Sequence, residues 1–162
     1  MNLPAETNAE LVDMPGHLIR RLQQIAVAIF LEDMEEFGIT PVQYAVLRTL
    51  RSVPSIDQRS LAAQVGLDTS TLGGVVDRLE SRGCLSRQPL AQDRRVRQLS
   101  LTPMGTSLLR NMEPAIQKSQ QRILAPLSKK KQAQFLALLS ELVEKNNDLS
   151  RAPIPMHVSR QA

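Results

Sequence analysis

Aromatic side chains are almost missing from this sequence: three Phe, one Tyr and no Trp among 162 residues. Stacking of unpaired bases needs several exposed rings, so single-stranded nucleic acid is a poor fit as a partner. Cysteine is scarcer still. A single residue, Cys84, excludes an internal disulfide and a zinc site built from cysteines. No glycine-rich phosphate loop occurs, and the two His, His17 and His157, make no cluster with carboxylates, so an enzyme lacks its usual residues. No apolar run is long enough to span a bilayer, and the N-terminus lacks the basic region and apolar core of a leader. A soluble cytoplasmic protein without metal, cofactor or membrane is expected.

What is present is basic charge, and it is sorted. The net charge is only +4, but every basic residue from Arg48 to Arg97 is Arg, whereas every Lys lies between Lys118 and Lys145. Arginine presents a planar fork that matches phosphates and guanine edges; lysine is a solvated point charge. The middle of the chain is thus the part equipped for double-stranded nucleic acid.

The apolar spacing predicts a long helix from Pro15 to Gly38, with a stripe of Leu18, Leu22, Ile25 and Ile29 widened by Ala26 and Phe30. Thr40-Pro41-Val42-Gln43 has the form of a capping box with proline at the first helical position, opening a helix through Leu50. Asp57 can cap Gln58 to Val65, which turns Leu61, Ala62 and Val65 inward and ends at Gly66. Only Leu67 then separates this stop from Asp68, the cap of the next helix, and two helices joined so tightly form a helix-turn-helix.

The second of these helices, Asp68 to Gly83, gathers Leu72, Val75, Val76 and Leu79 on one stripe. Its far face carries Ser70, Gly73, Gly74, Asp77 and Ser81, flanked by Thr71 and Arg78. Adjacent glycines inside a helix cost roughly 1 kcal/mol each relative to alanine. Either another surface approaches closely there, or the pair breaks the segment into two pieces. A hairpin follows, Leu85 to Leu90 and Arg97 to Thr102, with Leu99 and Leu101 inward and Asp93, Arg94, Arg95 and Arg97 at its tip and return strand. Thr102-Pro103 starts a helix toward Leu127, bent at Pro114 or Pro126. Ser128 caps the last helix, whose stripe is Phe135, Leu138, Leu139, Leu142 and Val143.

This order predicts a mainly α fold with a small β-hairpin wing: a winged helix-turn-helix plus N- and C-terminal dimerisation helices. The segments are an arm (1–14), a dimerisation helix (15–38), the DNA-binding domain (39–102), further dimerisation helices (103–150) and a flexible tail (151–162). The outer stripes have no adequate partner within one copy, which implies a homodimer. A monomeric four-helix packing is the alternative.

Asp77-Arg78-Leu79-Glu80 with Gly83, then Asp93-Arg94-Arg95, then Leu99-Ser100-Leu101-Thr102-Pro103-Met104-Gly105, resembles the MarR family of bacterial transcription regulators over roughly Leu18 to Leu142. The resemblance implies a dimeric regulator that binds a palindromic double-stranded operator and usually represses until a small ligand releases it. It implies that Ser70, Thr71 and Arg78, with Thr69 and Gly74 beside them, meet the major groove or its phosphates. It also implies that Arg95 enters the minor groove while Asp93 orients it, with Arg94 and Arg97 adding charge nearby. The physics agrees, since a narrow minor groove attracts an inserted arginine and a carboxylate can fix a guanidinium. Gly73 and Gly74 depart from the pattern, occupying positions where relatives often carry a bulkier polar residue. Gln58, Arg59 and Ser60, at the start of their helix, are placed to hold a phosphate or to stay solvated.

For the signal, Pro15-Gly16-His17-Leu18-Ile19-Arg20-Arg21 and Thr40-Pro41-Val42-Gln43-Tyr44 resemble a subgroup that regulates catabolism of aromatic acids and their coenzyme A thioesters. That implies an effector site from His17, Arg20, Arg21, Gln24 and Tyr44, a cation pairing with a carboxylate or phosphate. The arginines are otherwise solvated, or paired with partner acids such as Glu32. Cys84, in an apolar Cys-Leu pair, fits a small core residue better than an oxidant sensor. A ligand-independent architectural DNA-binding protein is the rival function.

Overall fold

The Thr40 side chain fixes where the second helix begins. Its hydroxyl accepts from the Gln43 amide at 3.3 Å while Gln43 Oε1 accepts from the Thr40 amide at 2.9 Å, and Pro41 fills the first helical position. A computed structural model describes residues 11–89, 97–150 and 152–154. Its elements, in order, are α1 (Pro15–Asp33), a 3-10 turn (Glu35–Phe37), α2 (Pro41–Ser52), β1 (Ile56–Asp57), α3 (Gln58–Val65) and α4 (Thr69–Ser81). Then come β2 (Leu85–Pro89), β3 (Arg97–Leu101), α5 (Pro103–Leu124), α6 (Lys129–Lys145) and a second 3-10 turn (Asn147–Leu149). The fold is mostly helical with a small antiparallel sheet, a winged helix-turn-helix.

The first helix stops earlier than its pattern suggests, at Asp33 rather than Gly38. The chain tightens there into the 3-10 turn, burying Met34, and Gly38 closes it. Arg82 then takes the freed carbonyls, its guanidinium donating to Gly38 O at 2.6 Å and Phe37 O at 2.8 Å. Between α3 and α4 the turn needs a left-handed residue, and Gly66 supplies it at φ 67°. The Gly66 and Leu67 amides return to α3 carbonyls, and the side chains of Asp57 and Asp68 cap the two helices. Through Gly73 and Gly74 the α4 helix is unbroken, which excludes a turn at the glycine pair.

The sheet has the order β1-β3-β2, all antiparallel, with Ile56 opposite Leu99 and Leu85 opposite Leu101. Sequence reading missed β1, because two residues are too few to alternate. β2 is described as far as Pro89, Leu90 lying outside the described residues, and β3 ends at Leu101 rather than Thr102. Thr102 instead caps α5, its hydroxyl accepting from the Gly105 amide at 3.0 Å and donating to Gly83 O at 2.6 Å. Directly behind that cap, a Cβ on Gly105 would lie 2.0 Å from the Cys84 carbonyl oxygen, so strand and helix meet with no room for a side chain.

α5 runs to Leu124, not Leu127, with Pro114 inside it. Ser128 occupies the N-cap position of α6 without a side-chain bond. The joint is braced instead by Gln132, whose Nε2 donates to Leu124 O at 3.0 Å and Leu127 O at 2.9 Å.

One core closes the head of the molecule. Leu47, Leu50, Leu61, Leu72, Leu79 and Leu99 fill it, joined by Phe30 and Met34 from the end of α1 and by Leu109, Met112 and Ile116 from α5. The other half of α1 and all of α6 remain outside. Leu18 is 52% exposed, Leu138 62% and Leu142 56%, and α6 contributes no buried residue. α1, α5 and α6 border an open apolar groove of about 1210 Å³.

Where α1 meets α5, Asp33 is enclosed, its side chain 2% exposed, with Oδ1 bonded to Lys118 and Arg122 at 2.8 Å each. Lys118 foremost, then Arg122, hold its carboxyl below the ordinary value against the opposing effect of burial. Glu32 pairs with Arg122 at 2.9 Å, so its cation comes from within the chain. The tail is not wholly free either. Asn147 brackets Ile154 with bonds of 3.0 and 2.9 Å, and the Ile154 side chain rests on Gly66. Residues 1–10, 151 and 155–162 lie outside the described residues.

Candidate nucleic-acid interface

The exposed side of the helix-turn-helix is built around two aspartates. Asp68 accepts from the Thr71 amide at 2.7 Å, and also from the hydroxyls of Thr71 and Ser70. Those donors hold its carboxyl well below the usual carboxylate range, the Ser70 hydroxyl contributing most. Asp57 likewise accepts from the Ser60 amide at 2.9 Å and from the Ser60 hydroxyl, which is the main cause of its lowered pKa.

This arrangement assigns a sense to the polar residues. Ser60, Ser70 and Thr71 are exposed, but their hydroxyl protons are given to the caps. Toward a ligand they offer lone pairs, suited to an adenine or cytosine amino group in the major groove rather than to a phosphate oxygen. Thr69, Arg59, Arg78 and Arg97 are exposed on the same head, and Gln58 is half-buried. Gly74 lies beneath Arg78, whose Nε donates to Gly74 O at 2.9 Å. Asp93, Arg94 and Arg95 lie outside the described residues.

Two arginines that sequence reading did not single out hold the reading helix in place. Arg87, on β2, pairs with Asp77 and, at 3.0 Å, with Glu80, and its amide donates to Glu80 at 3.3 Å. Arg82 ties the end of α4 to the 3-10 turn after α1. Alternation along β2 puts Arg87 on the helix side and gives a signal for it. Nothing local marks Arg82, whose partners are 44 and 45 residues away.

The effector candidates are spread along α1. His17 is half-buried, and Arg20, Arg21 and Gln24 are exposed. Arg20 Nη2 lies 3.3 Å from His17 Nδ1, and Arg21 Nη1 donates to Gln24 Oε1 at 3.4 Å. Tyr44 instead packs on Phe30, ring centroids 6.0 Å apart. From His17 to Phe30 the helix rises roughly 20 Å at 1.5 Å per residue. A single chain therefore brings His17, Arg20, Arg21 and Gln24 together and leaves Tyr44 apart. Burial pushes the Tyr44 phenol up, so at neutral pH it keeps a proton to donate. Cys84 is fully buried.

Residues 39–96 match the model of the MarR family. The chain is also 30% identical over 152 residues, 90% of its length, to 92% of the proposed transcriptional regulatory protein for the hcr operon of Thauera aromatica. The chain belongs to the MarR family. Among solved structures, this MarR-family chain resembles the PcaV transcriptional regulator of Streptomyces coelicolor in complex with its natural ligand. The two are 38% identical with a TM-score of 0.75, over 89% of this chain and 98% of PcaV. It also resembles Bordetella bronchiseptica BpsR, whose DNA binding is regulated by 6-hydroxynicotinic acid, at 29% identity and a TM-score of 0.76. That match covers 80% of this chain and 93% of BpsR. The protein is a MarR-family transcriptional regulator and not an enzyme. No helix among the described residues is long and apolar enough to cross a membrane.

Proposed function

We propose that this regulator works in the cytoplasm as a homodimeric repressor of a palindromic double-stranded operator, released by an aromatic carboxylate or its coenzyme A thioester. The observation that carries the dimer is the contrast between a closed head and open apolar faces on α1 and α6. Stripes of this size are buried in stable proteins, and a second copy presents the same stripes. In this reading residues 15–38 and 103–150 form the dimer and residues 39–102 bind DNA. Thr69, Ser70, Thr71 and Arg78 face the major groove, Gln58 and Arg59 the phosphates, and Arg95 with Asp93, Arg94 and Arg97 the minor groove, while Ser60 is held by Asp57.

The effector reading rests on the cations of α1 and on the aromatic acid that regulates BpsR. The ligand-independent architectural alternative has no observation of its own. Selection of bound duplexes from a random pool tests the operator. A palindrome with half-sites about one helical turn apart is expected, and a pool that stays random rejects the reading. Affinity should fall with salt by a log–log slope of roughly −0.9 per phosphate neutralised. Calorimetry with benzoic, hydroxybenzoic and pyridine carboxylic acids tests the effector. Heat that disappears in Arg20→Ala supports the site, and no heat with any of them rejects it.

A further inference from the structure

The second helix of a helix-turn-helix lies in the major groove with its N-terminal part on the base edges, and here the second turn of α4 carries Gly73 and Gly74. The space above them is not empty. A Cβ on Gly73 would meet Gln58 Nε2 at 3.5 Å, and a Cβ on Gly74 would meet Arg78 Nη2 at 3.4 Å. Two side chains, one from α3 and one from the next turn of α4, thus converge over the glycine pair. Among the described residues the Gln58 carboxamide makes no hydrogen bond. Arg78 uses Nε on Gly74 O, which steadies the guanidinium, and its terminal nitrogens make no hydrogen bond among the described residues. The acid beside it, Asp77, is engaged by Arg87. Ser70 and Thr71, by contrast, have their hydroxyl protons committed to Asp68.

We propose that Gln58 and Arg78 read bases, reaching the major groove across the gap left by Gly73 and Gly74. The inference rests on the operator-binding reading above. A glutamine carboxamide pairs bidentately with N6 and N7 of adenine, and an arginine fork with O6 and N7 of guanine. Each half-site then has an adenine and a guanine close together under the centre of α4. Gln58 passes from the phosphate-holding group to the specificity group, and the glycines become part of the code because a side chain larger than a methyl there displaces a reader.

The test takes the operator selected by the wild-type protein and measures affinity for it and for its single base-pair variants, at several salt concentrations. Gln58→Ala and Arg78→Ala should each lose roughly 5- to 150-fold on the selected operator and stop discriminating at one position, an A·T pair and a G·C pair respectively. Gly73→Thr, which fills the gap, should change the preferred base at the Gln58 position. Equal losses on every base-pair variant would make Gln58 a phosphate holder, and the same uniform loss with a slope shallower by about 1 would make Arg78 one; either would overturn the proposal. So would a base preference that survives all three substitutions, with unchanged melting temperatures showing that the variants fold. A wild-type protein that selects no sequence rejects the operator reading itself, and this one with it.

Discussion

Helices α4 and α6 have the same kind of apolar stripe and opposite surroundings. Leu72, Val75, Val76 and Leu79 of α4 are all buried, while Leu138, Leu139, Leu142 and Val143 of α6 are all exposed. Helical periodicity states that a face is apolar; it does not state what covers it. α4 meets α3, α2 and the sheet within one chain. α6 lines an open groove with α1 and α5, and in the proposed homodimer a second copy covers it.

The most direct way to break this contrast is the same deletion on both sides. Leu79→Ala should cost about 2–5 kcal/mol in urea unfolding whatever the protein concentration, because it opens a cavity in a closed core. Leu138→Ala should act through assembly, so its melting shift should shrink as concentration rises. An identical response of the two variants to concentration would erase the distinction. A sharper version is Leu138→Lys with Leu142→Lys. Light scattering should show the mass fall to that of one chain, 18.0 kDa, with the head's circular dichroism retained.

The joint between the regions predicts smaller effects. Gly105→Ala should destabilise by about 1–3 kcal/mol, since its methyl overlaps the Cys84 carbonyl and backbone must shift. Arg82→Ala should cost about 1 kcal/mol, as its two carbonyl bonds are partly solvated. Acid should act on the caps and on Asp33, whose carboxyl is held below the ordinary value by Lys118 and Arg122. Asp57 and Asp68 have folded-state pKa values below the ordinary one, so their stabilisation is complete above about pH 4 and is lost as pH falls below it. Melting temperature should be flat from neutral pH to about 5 and then decline, less steeply in Asp68→Ser.

What was legible in the sequence follows the same division. Caps, stops and the order of elements rest on residues within a few positions of each other, and Thr40 with Gln43, Asp57 with Ser60 and Asp68 with Thr71 pair as their spacing suggests. Features made by distant partners were hidden. β1 exists because β3 lies beside it, α1 ends early where Arg82 and buried Met34 draw it in, and Glu32 pairs with Arg122 from 90 residues away. The role of the glycine pair needed coordinates for a further reason: the side chains that fill its space come from Gln58 and Arg78, and no local pattern names an occupant.

Arg82 also has a mechanical meaning. A guanidinium is rigid and planar, so its bonds to Phe37 and Gly38 fix an angle as well as a distance. Those bonds tie the end of α1 to the C-terminal end of α4 through one side chain, whose aliphatic stem bends more easily than its planar head. The 3-10 turn is thereby fastened to the helix that carries Gly73 and Gly74.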